Sequence, residues 1–110
     1  MADGLAVQAY RATADMPVAE RFGLQGQLRR AAVSVATNLV EGSARPTEAD
    51  YCRFLHVAHG SARECQYLFE LAGRLGFIPE AESARLSEDY AHLAASVLAV
   101  AHSIDTRRKP

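Results

Sequence analysis

Six polar residues near the middle of the chain come closest to forming a site. Gln27, Arg30, Ser34, Asn38 and Glu41 recur at intervals of three or four, and Glu64 stands in a later segment of similar periodicity. At about 100° per residue the first five share one stripe of a helix, along the edge of an apolar stripe of Leu24, Leu28, Ala31, Ala32, Val35 and Leu39. Paired carboxylates can do acid–base chemistry, but no partner histidine or metal-ligand spacing accompanies Glu41 and Glu64. The pattern instead predicts a structural polar network of Arg30, Ser34, Asn38, Glu41 and Glu64. In it Arg30 pairs with a carboxylate, and Asn38 satisfies groups at a helix crossing or a subunit contact.

A second group, Cys52, His56 and His59, falls within about 60° on what reads as the outer face of its helix. Thiolate and imidazole suit zinc or nickel, yet a bundle site draws ligands inward from two or more helices, and this trio has no evident fourth ligand. The expected role is a solvated polar face, with no metal and no cofactor. His92 and His102 read as ordinary exposed or interfacial histidines. Gly23 and Gly26 form a GxxG without the basic flanks of an RNA-clamping loop. There is no phosphate-binding loop, nucleophile elbow or zinc-protease pair, so the chain reads as a non-enzyme. The basic run Arg107, Arg108 and Lys109 is expected from the dipole of a helix C-terminus, and it would reach nucleic acid best if an oligomer gathered several such tails on one rim.

The 110 residues make one domain, 1–110, with a single modest core. Hydrophobic residues at 49% and charged residues at 23% exclude a disordered chain, and a net charge of −1 gives no global pull toward nucleic acid or membrane. No signal-peptide pattern and no apolar run of about 20 residues is present, so a cytoplasmic protein without membrane contact is expected. Cys52 and Cys65 on one helix would lie roughly 20 Å apart, beyond disulfide reach. They read as reduced thiols, Cys65 in the core and Cys52 near the surface.

These residues must be positioned by helices. A first, short helix is predicted over 4–15, capped by Asp3, with Leu5, Ala9, Ala12 and Met16 on one face. Residues 16–23 form a connection with one short helical turn. A second helix covers 23–42, closed by Gly42 as C-cap. The third covers 47–75, with Thr47 and Asp50 as a variant capping box and a wide apolar face from Tyr51 to Leu75. Gly76 ends it, and Pro79 opens a fourth helix over 79–106 whose seam is Leu86, Tyr90, Leu93, Val97, Val100 and Ile104. Brief turns and the absence of strand signals predict an all-α, antiparallel up-down-up-down four-helix bundle.

The stretches FGLQGQLRRAAVSVATNLVEG (Phe22 to Gly42) and FLHVAHGSARECQYLFELAGRLGFI (Phe54 to Ile78) resemble the bacterial four-helix bundle proteins of the 23S rRNA intervening-sequence family, also called ribosomal S23-like. The likeness runs from about Leu5 to Ile104. It is most specific at Leu28, Arg29, Arg30, Ala31, Ser34, Asn38, Glu41 and Gly42, then at Phe54, Leu55, Ala58, Ser61 and Glu64. Ala36 departs from it, since the family commonly carries proline there, and its loss should straighten the helix. The resemblance implies a toroidal homopentamer. It also implies kinship with accessory proteins of diversity-generating retroelements, where a strongly basic barrel associates with a reverse transcriptase and RNA; the near-neutral charge here departs from that group.

The oligomer has its own signal. Val33, Ala36 and Val40 lie beside or opposite the core stripe of the second helix, and Leu98 lies off the seam of the fourth. A lone bundle would leave them exposed, so they are the candidate oligomer interface. The expected protein is a homo-oligomeric binding or scaffolding module that recruits a protein partner, itself a nucleic-acid-processing protein, or that contacts RNA or DNA through its basic rim.

Overall fold

The computed structural model describes residues 1–108. Among them are four α-helices, α1 (Ala2–Ala12), α2 (Leu24–Ser43), α3 (Glu48–Arg74) and α4 (Glu80–Arg108), with a 3₁₀ turn, Val18–Glu20, between the first two. Each helix packs on the next and α1 closes onto α4, while α2 and α4 face each other across the diagonal. The result is an up-down bundle 51 Å long and about 20 Å across, as the periodicity predicts.

Local chemistry sets most helix ends. Thr47 accepts a hydrogen bond from the Asp50 N–H at 3.2 Å and caps α3. Gly76, with φ +79°, supplies the left-handed residue after α3 that a side chain would resist. Two expected caps are displaced. Helix α1 starts at Ala2 with Met1 as N-cap, so Asp3 lies in its first turn, where its charge complements the helix dipole. It ends at Ala12 rather than Asp15, because the buried Thr13 turns its Oγ1 back to the Ala9 carbonyl at 2.8 Å.

Gly42 is the second displaced cap. It lies inside α2, which runs on to Ser43 and ends at Ala44 in ordinary right-handed geometry. Glycine is needed there for close approach: a Cβ would sit 2.9 Å from the Phe54 Cβ and 3.2 Å from the Tyr51 ring. Gly73 plays the same part between α3 and α4, where a Cβ would collide with the Ser83 hydroxyl.

The core is drawn from all four helices, with Leu28, Val35, Phe69, Leu86 and Tyr90 among its largest fully buried side chains. Phe69 and Tyr90 stack across α3 and α4 with centroids 5.9 Å apart. Leu39, Tyr51 and Phe54, expected on apolar faces, are only partly buried, and Leu75 is exposed at the α3 end. On α4 the seam holds except at Val100, which is 43% exposed, while Ala101 is fully buried. The short α1 explains this. Its Gln8 meets Arg85, so Ala2 lies about 9 Å further along, level with roughly residue 91 of α4. Below that level only α2, α3 and α4 remain, and no fourth helix covers Val100.

Candidate interaction surface

Helix α2 places its polar row along the seam with α3, and the row divides in three. Ser34 and Ser61 share a hydroxyl hydrogen bond at 2.8 Å, while the Asn38 amide donates to the Ser34 carbonyl at 2.8 Å and to its hydroxyl at 3.1 Å. One turn away, Gln27, Arg30 and Glu64 line an open groove of about 290 Å³ with Ala31, Ser34 and Ser61. Arg30 and Glu64 face this groove from opposite helices without bonding, and among the described residues neither forms an ion pair or hydrogen bond. Glu41 is turned toward the loop, where it pairs with Arg45 at 3.0 Å. Within one chain, then, Arg30 lacks the carboxylate that the sequence pattern assigns to it.

The seam with α1 is held by groups that periodicity alone did not single out. Arg29 donates from Nε to Thr13 Oγ1 at 2.9 Å and from Nη2 to the Tyr10 carbonyl at 3.0 Å, and its guanidinium lies 4.5 Å from the Tyr10 ring centroid. Gln25 adds a bond to the Thr13 carbonyl at 2.7 Å. The available signal was Thr13 at the i+4 position after Leu5 and Ala9, one polar residue continuing an apolar stripe.

The Cys52, His56 and His59 group lies along the border with α4, where His56 stays exposed, His59 is half-buried and Cys52 is buried. All three turn toward α4: the Cys52 thiol lies 3.6 Å from the Ala101 carbonyl, His56 Nε2 lies 3.4 Å from Asp105 Oδ2, and His59 Nδ1 donates to the Ala94 carbonyl at 3.0 Å. Cys52 is buried, contrary to the surface position expected from sequence, because α4 crosses α3 on that side. Its thiol is pushed upward by burial and then by the Asp105 carboxylate. Asp105 is held below the usual carboxylate range, chiefly by its bond to His56. Cys65, in the core as expected, is pushed up to about 12, first by burial and then by the Glu64 charge. Among the described residues no three His, Cys, Asp or Glu side chains converge on a metal position.

At the loop end the charges are largely consumed internally. Arg107 pairs with Glu48 at 3.0 Å, Arg53 with Asp50 at 3.3 Å, and Arg45 with Glu41. Arg108 is exposed, and Lys109 lies outside the described residues. His92 lies 3.8 Å from Glu88, and His102 is exposed.

The apolar surface is on the other side of α2. Val33 is 39% exposed and Val40 70%, Ala36 is half-buried against the core, and Leu98 is half-buried on α4. Asp3 of α1 joins Ala36, Thr37, Val40 and Glu41 around a second open groove of about 270 Å³. Helix α1 extends this surface with Val7 and Tyr10, both exposed. No described helix is long and apolar enough to cross a membrane.

A chain whose second and third helices meet through a Ser34–Ser61 pair and a Gly42–Phe54 contact carries the residues of the resemblance at one crossing, and comparison with known proteins agrees with it. No curated protein matches the chain. The family model described as 23S rRNA-intervening sequence protein matches residues 1–99, nearly the whole of the four-helix bundle, and the chain belongs to that family.

Proposed function

We propose that the protein is a non-enzymatic binding or scaffolding module that works as a closed homopentamer and recruits a nucleic-acid-processing protein. The observation that carries this reading is the apolar outer face of α2, where Val33 and Val40 stand in solvent beside a fully formed core. Burying one such side chain is worth about 1.5–3 kcal/mol, and a ring repeats the gain at every interface. Membership in the 23S rRNA-intervening sequence protein family supports the assembly.

Direct nucleic-acid binding is less well supported, since Arg107 is committed to Glu48, and Arg45 and Arg53 at the same end pair with Glu41 and Asp50. Gel filtration of untagged protein at low salt, read at two absorbance wavelengths, tests the choice. Protein free of nucleic acid is the expected result. Co-eluting nucleic acid released steeply by salt would overturn it in favour of a basic rim, because phosphate contacts weaken with ionic strength while apolar ones do not.

A further inference from the structure

We propose that the groove between α2 and α3 is a binding site for a small zwitterion, an α-amino acid whose carboxylate lies on Arg30 and whose ammonium lies on Glu64. The site draws on none of the valines that the ring reading buries, so it stands or falls apart from that reading.

The helix seam sets the geometry. The hydroxyl bond between Ser34 and Ser61 fixes the register of α2 on α3. Arg30 stands four residues from Ser34, and Glu64 three residues from Ser61 in the same direction along the antiparallel pair, which puts the two within about 1.5 Å of one level. They line the groove of about 290 Å³ from opposite helices without bonding, and both are exposed. Arg30 lies back over Gly26. A Cβ on that glycine would come within 3.1 Å of Arg30 Nη1, so its absence leaves the guanidinium room.

The serine pair adds a spare donor. The Asn38 amide already occupies a lone pair of the Ser34 hydroxyl, and the two serines share a single hydrogen bond. Whichever serine donates to the other, one hydroxyl hydrogen of the pair has no acceptor among the described residues. Beside it Arg30 presents a planar fork of N–H donors that matches a carboxylate bidentately, and Gln27 contributes an amide.

Charge then selects the ligand. Glu64 repels a phosphate or simple carboxylate that Arg30 would attract, and Arg30 repels a metal ion or polyamine that Glu64 would attract. A molecule carrying both charges satisfies both walls. The groove is slightly smaller than the roughly 300–1,000 Å³ of most ligand pockets, which suits few heavy atoms. Of its six lining residues Ala31 alone is apolar, so the ligand's side chain is small and lacks an apolar body.

The test titrates the full chain at neutral pH with glycine and L-serine, followed by its backbone-amide NMR spectrum, with acetate and methylammonium as probes of one charge each. The two amino acids should shift the amides of residues 27–34 and 61–64 saturably, with midpoints about tenfold below those of the single-charge probes. Arg30→Gln and Glu64→Gln should each weaken this binding about tenfold and leave the thermal midpoint unchanged, since both side chains are exposed. A spectrum that neither amino acid moves at about 50 mM overturns the proposal. So do equal midpoints for the amino acids and acetate, which would mark an anion patch at Arg30, and variants that bind as well as wild type. The oligomeric mass enters none of these readings, so a monomeric chain that binds glycine or L-serine overturns the ring alone.

Discussion

The α3–α4 interface and the outer face of α2 are built from similar residue types and solved in opposite ways. Between α3 and α4 most polar groups that enter the contact find a partner within the chain, the Tyr90 hydroxyl and Gln66 Oε1 excepted. Ser83 donates to the Phe69 carbonyl at 2.6 Å, Ser87 to the Gln66 carbonyl at 3.1 Å, and His59 to the Ala94 carbonyl. Phe69 and Tyr90 stack beneath them, and Gly73 lets the backbones approach. On the outer face of α2, valines remain in water, and Arg30 is left without a carboxylate. The first surface is complete within one chain. The second has the composition of an interface without its other half.

Breaking the complete interface should cost most. Phe69→Ala is expected to lose about 3–5 kcal/mol in denaturant unfolding, because it empties a fully buried ring site. Gly73→Ala should lose about 1–3 kcal/mol, since the new Cβ displaces Ser83 from its bond to Phe69. Tyr90→Phe sharpens the comparison. The Tyr90 hydroxyl is buried without a hydrogen-bond partner, so its removal should change stability by less than about 1 kcal/mol.

Titration separates the interior of the bundle from the helix ends. Cys65 has its thiol raised to about 12 and is neutral in the fold, so its contribution is complete below the ordinary thiol value near pH 9 and is lost as pH rises toward 12. A thiol reagent at pH 8 should label neither cysteine of the native protein and both after denaturation. Asp105 behaves oppositely. Its lowered carboxyl contributes above the ordinary carboxylate value near pH 4, and that contribution is lost as pH falls below it. The pair is exposed, so Asp105→Asn should be the mildest change of all, a slightly lower plateau above about pH 4 that converges with wild type as pH falls.

Much of the fold was legible because the apolar stripes of α2 and α3, and most of the α4 seam, follow the helical period closely. The Thr47 cap and the Gly76 break are local signals that act where they stand. Other features depended on neighbours that periodicity does not specify. Val100 occupies a seam position and stays exposed because α1 is too short to reach its level. Cys52 looks peripheral on a helical wheel and is buried by the path of α4. Gly42 has the residue type of a cap and the task of a close contact. The candidate site was legible as a row of residues, but its division into a Ser34–Asn38–Ser61 network, an unbonded Arg30 and Glu64, and an outlying Glu41–Arg45 pair came from the placement of α3 and the loop.

The central claim is that the outer face of α2 is completed by other copies of the chain. Light scattering on the eluting peak of the wild type and of the Val33→Glu, Val40→Glu double variant tests it most directly. The account predicts a wild-type mass of five 11.9 kDa chains that collapses to one chain in the variant. A wild type that elutes as a single 11.9 kDa chain, or a variant that keeps the wild-type mass, would contradict it.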